Sequence, residues 1–235
     1  MKILALETSA KSVSAAVTEN GAVLGHSCLC TGLTHSRTLM PLVDGLLRCG
    51  GMTAEEMDLI AVAAGPGSFT GLRIGVSAAK GLAWALDKPC CGVSTLEAMA
   101  VCLRHVDGTL VCAMDARRQQ IYNAVFSAEG GALTRRTEDR AIALSTLAEE
   151  LKNDEKEKII VGDGAQLCYT YLREAGIDCR MAPPHLVMQS AVGVALAAEA
   201  AAARGETVTA QQLVPRYLRL SQAERERLAK GLSLS

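Results

Sequence analysis

The sequence lacks any excess of charge of one sign. Its 24 lysines and arginines are balanced by 25 aspartates and glutamates, which gives a formal net charge of −1. A chain with this balance has no overall attraction to polyphosphates, so a contact with nucleic acid must be local or supplied by a partner. A long apolar run is also missing: the first one, Ile3 to Leu6, ends at Glu7, and the alanine-rich segment 190–204 is interrupted by Glu199. We therefore expect a soluble, cytoplasmic protein with neither a signal peptide nor a membrane segment.

Paired metal-binding motifs are also missing. The nine cysteines are scattered and form no C-x-x-C pair, and the four histidines are dispersed. This usage is typical of reduced, buried cysteines in a cytosolic protein. The sequence therefore predicts neither a disulfide framework nor a metal site.

The segment Ala63–Leu86, AAGPGSFTGLRIGVSAAKGLAWAL, looks like a phosphate loop that opens onto a helix, but it contains no Gly-Lys-Ser. Gly65 and Gly67 would allow backbone N–H groups to approach an anion at the start of the helix. However, Pro66 has no N–H to donate, and Arg73 lies well inside the predicted helix. Two interpretations remain open: an anion site, and a tight turn between a strand and a helix.

The sequence does contain an internal repeat. The strand-like segment Lys2–Glu7, KILALE, precedes a predicted hairpin with Asn20-Gly21 at its turn. The same pattern recurs in Leu110–Asp115, LVCAMD, with Gly130-Gly131 at the second turn. Asp115 thus takes the place of Glu7 in the second copy.

A strand that runs into a glycine turn and then a helix also appears twice. The first turn carries Gly65, and the second carries Gly162 and Gly164. Together these patterns predict an α/β protein with two tandem domains, residues 1–107 and 108–235. We expect each domain to be a mixed sheet with an antiparallel three-strand hairpin unit, flanked by helices.

This duplicated arrangement resembles the actin/Hsp70/sugar-kinase superfamily, whose members consist of two RNase H-like domains in an actin-like ATPase fold. More narrowly, five segments are similar to the bacterial TsaB (YeaZ) family: LALETSAKSVSAAV, HSRTLMPLVDGLL, AAGPGSFTGLRIGVSAAKGLA, MDARRQQIYNAVF and PRYLR. The resemblance covers nearly the whole chain. It implies a part in forming N6-threonylcarbamoyladenosine at position 37 of tRNAs that read codons beginning with A.

The resemblance also implies partners. In that family's pathway the paralogue TsaD transfers the carbamoyl group, TsaB is its heterodimer partner, and the ATPase TsaE associates with the pair. The tRNA is reached only through this complex, and a homodimer of the isolated chain is a further expectation. The catalytic paralogue carries two histidines at positions that match Thr95 and Met99 here. Because neither residue suits a hard or borderline cation, we expect no catalytic residue and no metal site in this chain.

The helix after Gly67 is predicted to dock the partner. One apolar face contains Leu72, Val76 and Ala79, and an adjacent face of mostly small residues would let another helix come close. The predicted interface residues are Gly71, Leu72, Gly75, Val76, Ala78, Ala79 and Leu82. The alternative is that the intrachain helix Leu39–Cys49 covers the second face.

A weak site for ATP or ADP between the two halves is the remaining candidate site. Superfamily kinases place their phosphate loops where this chain has Glu7 and Asp115. The candidate residues are Glu7, Thr8, Ser9, Gly65, Gly67, Asp115, Gly162 and Gly164. The first loop lacks the glycine of active kinases, so Glu7 is alternatively a hairpin-end carboxylate that accepts hydrogen bonds from its own loop.

Two further interpretations stay open. In the locally basic C-terminal segment, Arg225, Arg227 and Lys230 are candidates for contact with tRNA or a partner, and Tyr217 and Leu218 are expected to pack on the body of the protein. The competing function is a small-molecule kinase or a nucleotide-binding ATPase of the same superfamily.

Overall fold

The computed structural model describes residues 1–117, 119–219 and 227. Its first sheet is built from the first part of the chain, in the order β3-β2-β1-β4-β5. The strands are β1 (Lys2–Glu7), β2 (Val13–Glu19), β3 (Ala22–Leu29), β4 (Leu59–Gly65) and β5 (Cys90–Ser94). β1 is antiparallel to β2 and parallel to β4, so this sheet is mixed.

The second sheet repeats this plan in the order β11-β10-β6-β7-β8, and β9 also pairs with β7. Its strands are β6 (Gly108–Asp115), β7 (Gln120–Glu129), β8 (Ala132–Arg135), β9 (Arg140–Ala143), β10 (Lys158–Val161) and β11 (Arg180–Met181). β6 is antiparallel to β7 and parallel to β10. The predicted fold class, with a three-strand antiparallel unit in each sheet, is confirmed.

Six α-helices flank the two sheets in the described part of the chain. They are α1 (His35–Cys49), α2 (Phe69–Leu86), α3 (Thr95–Val101), α4 (Leu144–Leu151), α5 (Ala165–Glu174) and α6 (Ala191–Ala203), with a short 3-10 helix at Ala54–Glu56. The sequence reasoning missed α4 and β9. None of these helices combines the length and the apolar character needed to cross a membrane.

Turn chemistry explains both predicted hairpins. Asn20 and Gly21 have φ values of 48° and 79°, and Gly130 and Gly131 have φ values of 57° and 83°. Positive φ at both central residues gives a turn whose twist matches that of the flanking strands. β2 therefore leads into β3, and β7 leads into β8, at the predicted positions.

Two helices cross between the halves. α3 follows the first sheet in sequence, yet Leu96 and Met99 pack with Phe126 of the second sheet. α6 belongs to the second half in sequence, yet its alanines pack on the first sheet around Ile3. The two helices touch closely, since a Cβ at Gly193 would overlap the Ala98 carbonyl. The strands thus divide as the two predicted halves do, whereas these helices do not.

The cysteines require a correction. Cys90, Cys91, Cys112, Cys168 and Cys179 are buried as expected, but Cys28, Cys30 and Cys49 are exposed. The exposed three lie on β3, just after it, and at the end of α1, on the outer edge of the first sheet. This edge has no strand beyond β3 in the described residues, so its side chains are not covered.

Candidate functional site

The ends of four strands bring most of the candidate nucleotide residues together. β1 ends at Glu7, β4 ends at Gly65, β6 ends at Asp115, and β10 runs into Gly162. In each sheet the central pair of strands is parallel, so their carboxyl ends lie at the same edge. We call this region, with Asp163, the inter-sheet site. Ligands of open α/β sheets bind at such an edge.

Glu7 is fully buried in the inter-sheet site. Its Oε1 accepts a hydrogen bond of 2.5 Å from the backbone N–H of Ser9, whereas its Oε2 has no partner. The pKa of Glu7 is raised to about 7: burial is the largest cause, the nearby Asp163 acts in the same direction, and the hydrogen bond from the Ser9 backbone N–H opposes both. A substantial fraction of Glu7 is therefore protonated near neutral pH. The interpretation of Glu7 as a carboxylate held by its own loop agrees with this geometry.

The other two carboxylates have different surroundings. Asp115 is exposed, and its Oδ1 accepts a hydrogen bond of 2.7 Å from the backbone N–H of Arg117. Burial raises the pKa of Asp163, whose Oδ1 accepts a hydrogen bond of 2.9 Å from Gln189 Nε2. The sequence reasoning had singled out only the glycines beside Asp163. No sequence pattern identifies Asp163 as a site residue, because it belongs to the site only through the packing of the two sheets.

Thr8 and Ser9 are buried and form hydrogen bonds with the start of α2. Thr8 Oγ1 donates a hydrogen bond of 2.7 Å to the Gly71 carbonyl, and the Ser9 carbonyl accepts one of 2.7 Å from the Ser68 backbone N–H. The loop after β1 is therefore attached to the first turn of α2. A Cβ at Gly67 would lie 2.6 Å from the Ser9 carbonyl oxygen, so glycine is needed there for this close approach.

The remaining candidate glycines also serve close backbone contacts. Gly65 has a φ of 134°, and a Cβ there would overlap the Arg216 carbonyl oxygen. Likewise, Gly162 and Gly164 lie against the end of β6, where a Cβ at Gly164 would be 2.8 Å from the Asp115 nitrogen. This geometry favours the tight-turn interpretation of the Gly65–Gly67 segment over the anion site. Nucleotide binding at the inter-sheet site stays a prediction.

Most residues of the predicted partner interface lie in the interior of this structure. Leu72, Val76 and Ala79 are almost completely buried against the first sheet, in agreement with their apolar spacing. Gly71 and Gly75 are covered by Thr8, with which a Cβ at either position would overlap. In this structure these five residues are not available to a partner. The small residues on α2 contact a loop about 60 residues earlier in the chain. The periodicity of α2 alone does not reveal this contact.

The remaining two predicted interface residues lie beside α1. Ala78 and Leu82 are half-buried and pack on the cluster that contains Leu39 and Val43, so α1 covers part of this face as the alternative proposed. The outward face of α2 instead presents Trp84, whose exposed fraction is 67%.

A segment that we call the strap, residues 211–219, runs along α2 toward the inter-sheet site. Lys80 Nζ donates to the carbonyls of Gln211 and Leu213, at 3.3 and 3.1 Å. The Arg216 backbone N–H donates to the Ala64 carbonyl at 2.7 Å, and Arg219 Nη1 donates to the Ala116 carbonyl at 2.7 Å. The strap thus connects the end of β4 with the loop after β6.

An aromatic contact fixes the strap on α2. The rings of Tyr217 and Phe69 stack with their centroids 4.5 Å apart, which confirms that Tyr217 packs on the body of the protein. Leu218 remains exposed. Of the predicted basic tail, Arg225 and Lys230 lie outside the described residues, and Arg227 is exposed.

The positions that match the paralogue's histidines are part of the interior. Thr95 is fully buried and Met99 is almost fully buried on α3. Within residues 1–117, 119–219 and 227 no group of three or more histidine, cysteine, aspartate or glutamate side chains is placed to hold a metal ion.

Comparisons with known proteins add an independent observation to this geometry. A family model described as "TsaD: tRNA N6-adenosine threonylcarbamoyltransferase" matches residues 30–227. The "tRNA threonylcarbamoyladenosine biosynthesis protein TsaB" of Bacillus subtilis is 34% identical over 226 residues, which are 95% of this chain and 96% of that protein. The chain belongs to the TsaB family.

Further members of the TsaB (YeaZ) family agree with this placement. The Escherichia coli protein of the same name is 31% identical over 222 residues, 93% of this chain and 95% of that protein. The solved structure "YeaZ from Pseudomonas aeruginosa" is 28% identical and superposes with a TM-score of 0.78, over 92% of this chain and 99% of that one. The predicted family is confirmed, and the two-sheet architecture is that of a TsaB protein.

Proposed function

We propose that this chain acts in tRNA threonylcarbamoyladenosine biosynthesis as the heterodimer partner of a TsaD-type transferase, without performing the transfer itself. One observation carries the proposal: the chain aligns over almost its full length with proteins named for this biosynthesis. The transferase family model also matches most of the chain, as expected for two paralogues that share a fold. The substrates of the complex would be tRNAs that read codons beginning with A.

The interior of the chain supports a role without catalysis. The positions of the paralogue's histidines are occupied by Thr95 and Met99, which are packed inside the protein. The loop that would surround a phosphate in a kinase is attached to α2 through Thr8 and Ser9. In both places, residues that could have been catalytic or phosphate-binding are instead packed inside the protein.

The surface of the first half supports a docking role. Trp84 on α2 and Met40 on α1 are exposed by 67% and 42%, and the two helices pack side by side. Beside them, a groove of about 820 Å³ between β3 and α1 is lined by Leu24, Leu42 and Leu46 among others. Exposed aromatic and apolar side chains of this kind are enriched where proteins associate. We assign the transferase to this α1–α2 face, and a homodimer of the isolated chain to the same face.

Reconstitution tests the proposal. Unmodified tRNA is incubated with the TsaD transferase, the TsaE ATPase and the enzyme that makes the transferase's threonylcarbamoyl-adenylate substrate in this family's pathway. This chain is present or omitted, and threonylcarbamoyladenosine is measured by mass spectrometry of the nucleosides. We expect modification only when the chain is present. Equal modification in its absence would contradict the proposal and would return attention to a small-molecule kinase.

A second proposal is weak binding of ATP or ADP at the inter-sheet site. Three buried oxygen atoms there or beside it have no hydrogen-bond partner: Glu7 Oε2, Ser9 Oγ and Gln189 Oε1. Buried polar atoms normally find partners, so a bound polar group would explain all three. Titration calorimetry with ADP and with ATP, each with magnesium, tests this proposal. A heat of binding that is present with the native chain and absent with Glu7→Ala supports the proposal. The absence of a heat of binding with the folded native chain contradicts it.

A further inference from the structure

Two groups of arginines in this protein differ in how their charge is compensated. Every arginine between residues 119 and 215 lies within 4.0 Å of a carboxylate oxygen: Arg135, Arg136, Arg140, Arg173, Arg180 and Arg204. Their charges are therefore compensated within the chain. A polyanion that bound there would have to compete with these carboxylates.

Four of the other arginines, which we call the strap arginines, lie on the strap or beside a residue that it contacts: Arg73, Arg117, Arg216 and Arg219. None of them takes part in an ion pair among the residues that the structure describes. Arg73 lies over the Phe69 ring, 3.9 Å from its centroid, and its Nε donates to Tyr217 Oη at 3.1 Å. Arg73, Arg117 and Arg216 are exposed, and Arg219 is half-buried.

Hydrogen bonds of the strap place these four residues near one another. The strap attaches Arg216 to the end of β4 through the Ala64 carbonyl, and Tyr217 next to it contacts Arg73. Three residues after Arg216, Arg219 binds the Ala116 carbonyl, which precedes Arg117. The strap arginines therefore follow one line from α2 to the loop after β6, along the mouth of the inter-sheet site.

In the described part of the chain, the carboxylates near this line compensate its charge only in part. Glu206 forms an ion pair with Arg204, although the charge of Arg216 also lowers its pKa, and the exposed Asp115 accepts a hydrogen bond from the Arg117 backbone N–H. Glu7 and Asp163 lie further inside, where burial raises the pKa of both carboxyl groups. Because the whole chain has a net charge of −1, the excess of positive charge is a local property of this surface.

We infer that the strap arginines bind backbone phosphates of the tRNA within the assembled complex. The inference rests on the proposed function, which supplies the RNA. Guanidinium groups bind phosphate oxygens in a bidentate manner, and here they need not break an ion pair first. The Tyr217 ring, which is 40% exposed and supported by Phe69, gives this surface an aromatic group on which an unpaired base stacks. An acidic protein partner is the competing occupant, and the experiment below separates the two.

The test removes three charges at this surface and, as a matched control, three elsewhere. The variant is Arg73→Gln/Arg117→Gln/Arg216→Gln, and Arg219 is kept because it holds the strap. The control is Arg173→Gln/Arg180→Gln/Arg204→Gln, which changes the net charge equally. Binding of an unmodified tRNA transcript is measured at several salt concentrations, for the complex with the transferase and for the full chain alone.

We expect the strap variant to bind tRNA roughly tenfold more weakly at low salt, and the slope of log K against log salt to become shallower by about 2 to 3. The control should match the native protein within about twofold, since its arginines are ion-paired. Equal slopes for the strap variant and the native protein would overturn the inference. Loss of transferase association with unchanged RNA binding would also overturn it, in favour of an acidic partner.

Failure of the inference is distinguishable from failure of the proposed function. Association with the transferase is followed by size-exclusion chromatography, and modification is followed by nucleoside analysis. If the strap variant binds tRNA with the affinity and salt dependence of the native protein while modification still requires the chain, only the inference fails. If modification does not require the chain, the proposed function fails, whatever the RNA titrations show.

Discussion

The two halves of this molecule start from the same plan and use it differently. In each half a first strand ends in a carboxylate, Glu7 in one and Asp115 in the other. In the first half the following loop is buried beneath α2 through Thr8 and Ser9, whereas in the second half Asp115 and Arg117 are exposed. A duplicated scaffold thus keeps its sheets while the loops at equivalent positions acquire different roles.

The surfaces of the halves differ in the same way. Seven exposed large apolar residues lie in residues 1–107, and three lie on the strap: Met1, Val23, Leu24, Leu29, Leu33, Met40, Trp84, Val214, Tyr217 and Leu218. In the described residues between 108 and 210 only Leu167 is of this kind. Paired arginines cover much of the second half instead. The exposed apolar residues are thus concentrated in the first half, where we propose that the transferase docks, and on the strap.

The largest expected effect is on the pH dependence of stability, and it comes from Glu7, which is buried where its counterpart Asp115 is exposed. Burial raises the pKa of Glu7 from 4.5 to about 7, so the folded state binds more protons than the unfolded state between these pH values. The free energy of unfolding should therefore fall by roughly 3 kcal/mol as the pH rises through this window, with no further loss from Glu7 above it. Glu7→Gln should remove this part of the pH dependence.

Asp115→Asn is the control for that experiment, because Asp115 is exposed at the equivalent position. Urea unfolding is followed at several pH values between about pH 5 and pH 8. The control should retain the native pH dependence. An unchanged pH dependence in Glu7→Gln would show that Glu7 is not a buried acid of raised pKa.

The next effect concerns two glycines of α2. A Cβ at Gly71 would overlap the Thr8 carbonyl oxygen, whereas a Cβ at Gly81 would meet nothing within 4 Å. Gly71→Ala should lower the free energy of unfolding by about 2 kcal/mol through overpacking. Gly81→Ala should raise it by about 0.5 to 1 kcal/mol through helix propensity. Urea titrations measure both, and equal stabilisation by the two changes would mean that the loop does not cover Gly71.

Features of this fold were predictable where neighbouring residues in the chain determine them. The hairpin turns at Asn20-Gly21 and Gly130-Gly131 were predicted because their geometry depends on the turn residues alone. The strand-to-helix turns were predicted for the same reason. The short β9 was missed because its four residues of intermediate burial show no clear alternation. The helix α4 was missed although Leu144, Leu147, Ala148 and Leu151 follow helical spacing.

The site was harder to predict than the fold. Periodicity identified two covered faces on α2, but it could not show that Thr8 covers Gly71 and Gly75 from a distant part of the chain. Substitutions at these glycines therefore report on folding and not on docking. The packing of Tyr217 was predicted, but the role of Asp163 and the contacts of Arg216 and Arg219 were not, because they arise between distant parts of the chain.

The third prediction compares exposed apolar residues of the two halves. Trp84→Glu should weaken association with the transferase about tenfold, because a buried tryptophan at an interface contributes strongly to affinity. Leu167→Glu on α5 makes the same type of change in the second half and should leave association unchanged. Dissociation constants from biolayer interferometry would measure both. If Leu167→Glu had the stronger effect, the docking surface would belong to the second half.

The smallest expected effect concerns the strap. Tyr217→Phe keeps the ring stack on Phe69 but removes the acceptor for Arg73 Nε. Since this contact is partly exposed, we expect a loss of about 0.5 to 1 kcal/mol in the free energy of unfolding. Tyr169→Phe, in α5 of the second half, is the control and should change stability less. A larger loss in Tyr169→Phe would contradict the assigned role of the strap contact.

Hydrogen–deuterium exchange of the full chain, with and without the transferase, tests the central claim most directly. The account predicts that the transferase slows amide exchange in α1 and α2, residues 35–49 and 69–86, and leaves residues 120–151 of the second half unchanged. Protection confined to residues 120–151 would contradict the assignment of docking to the first half.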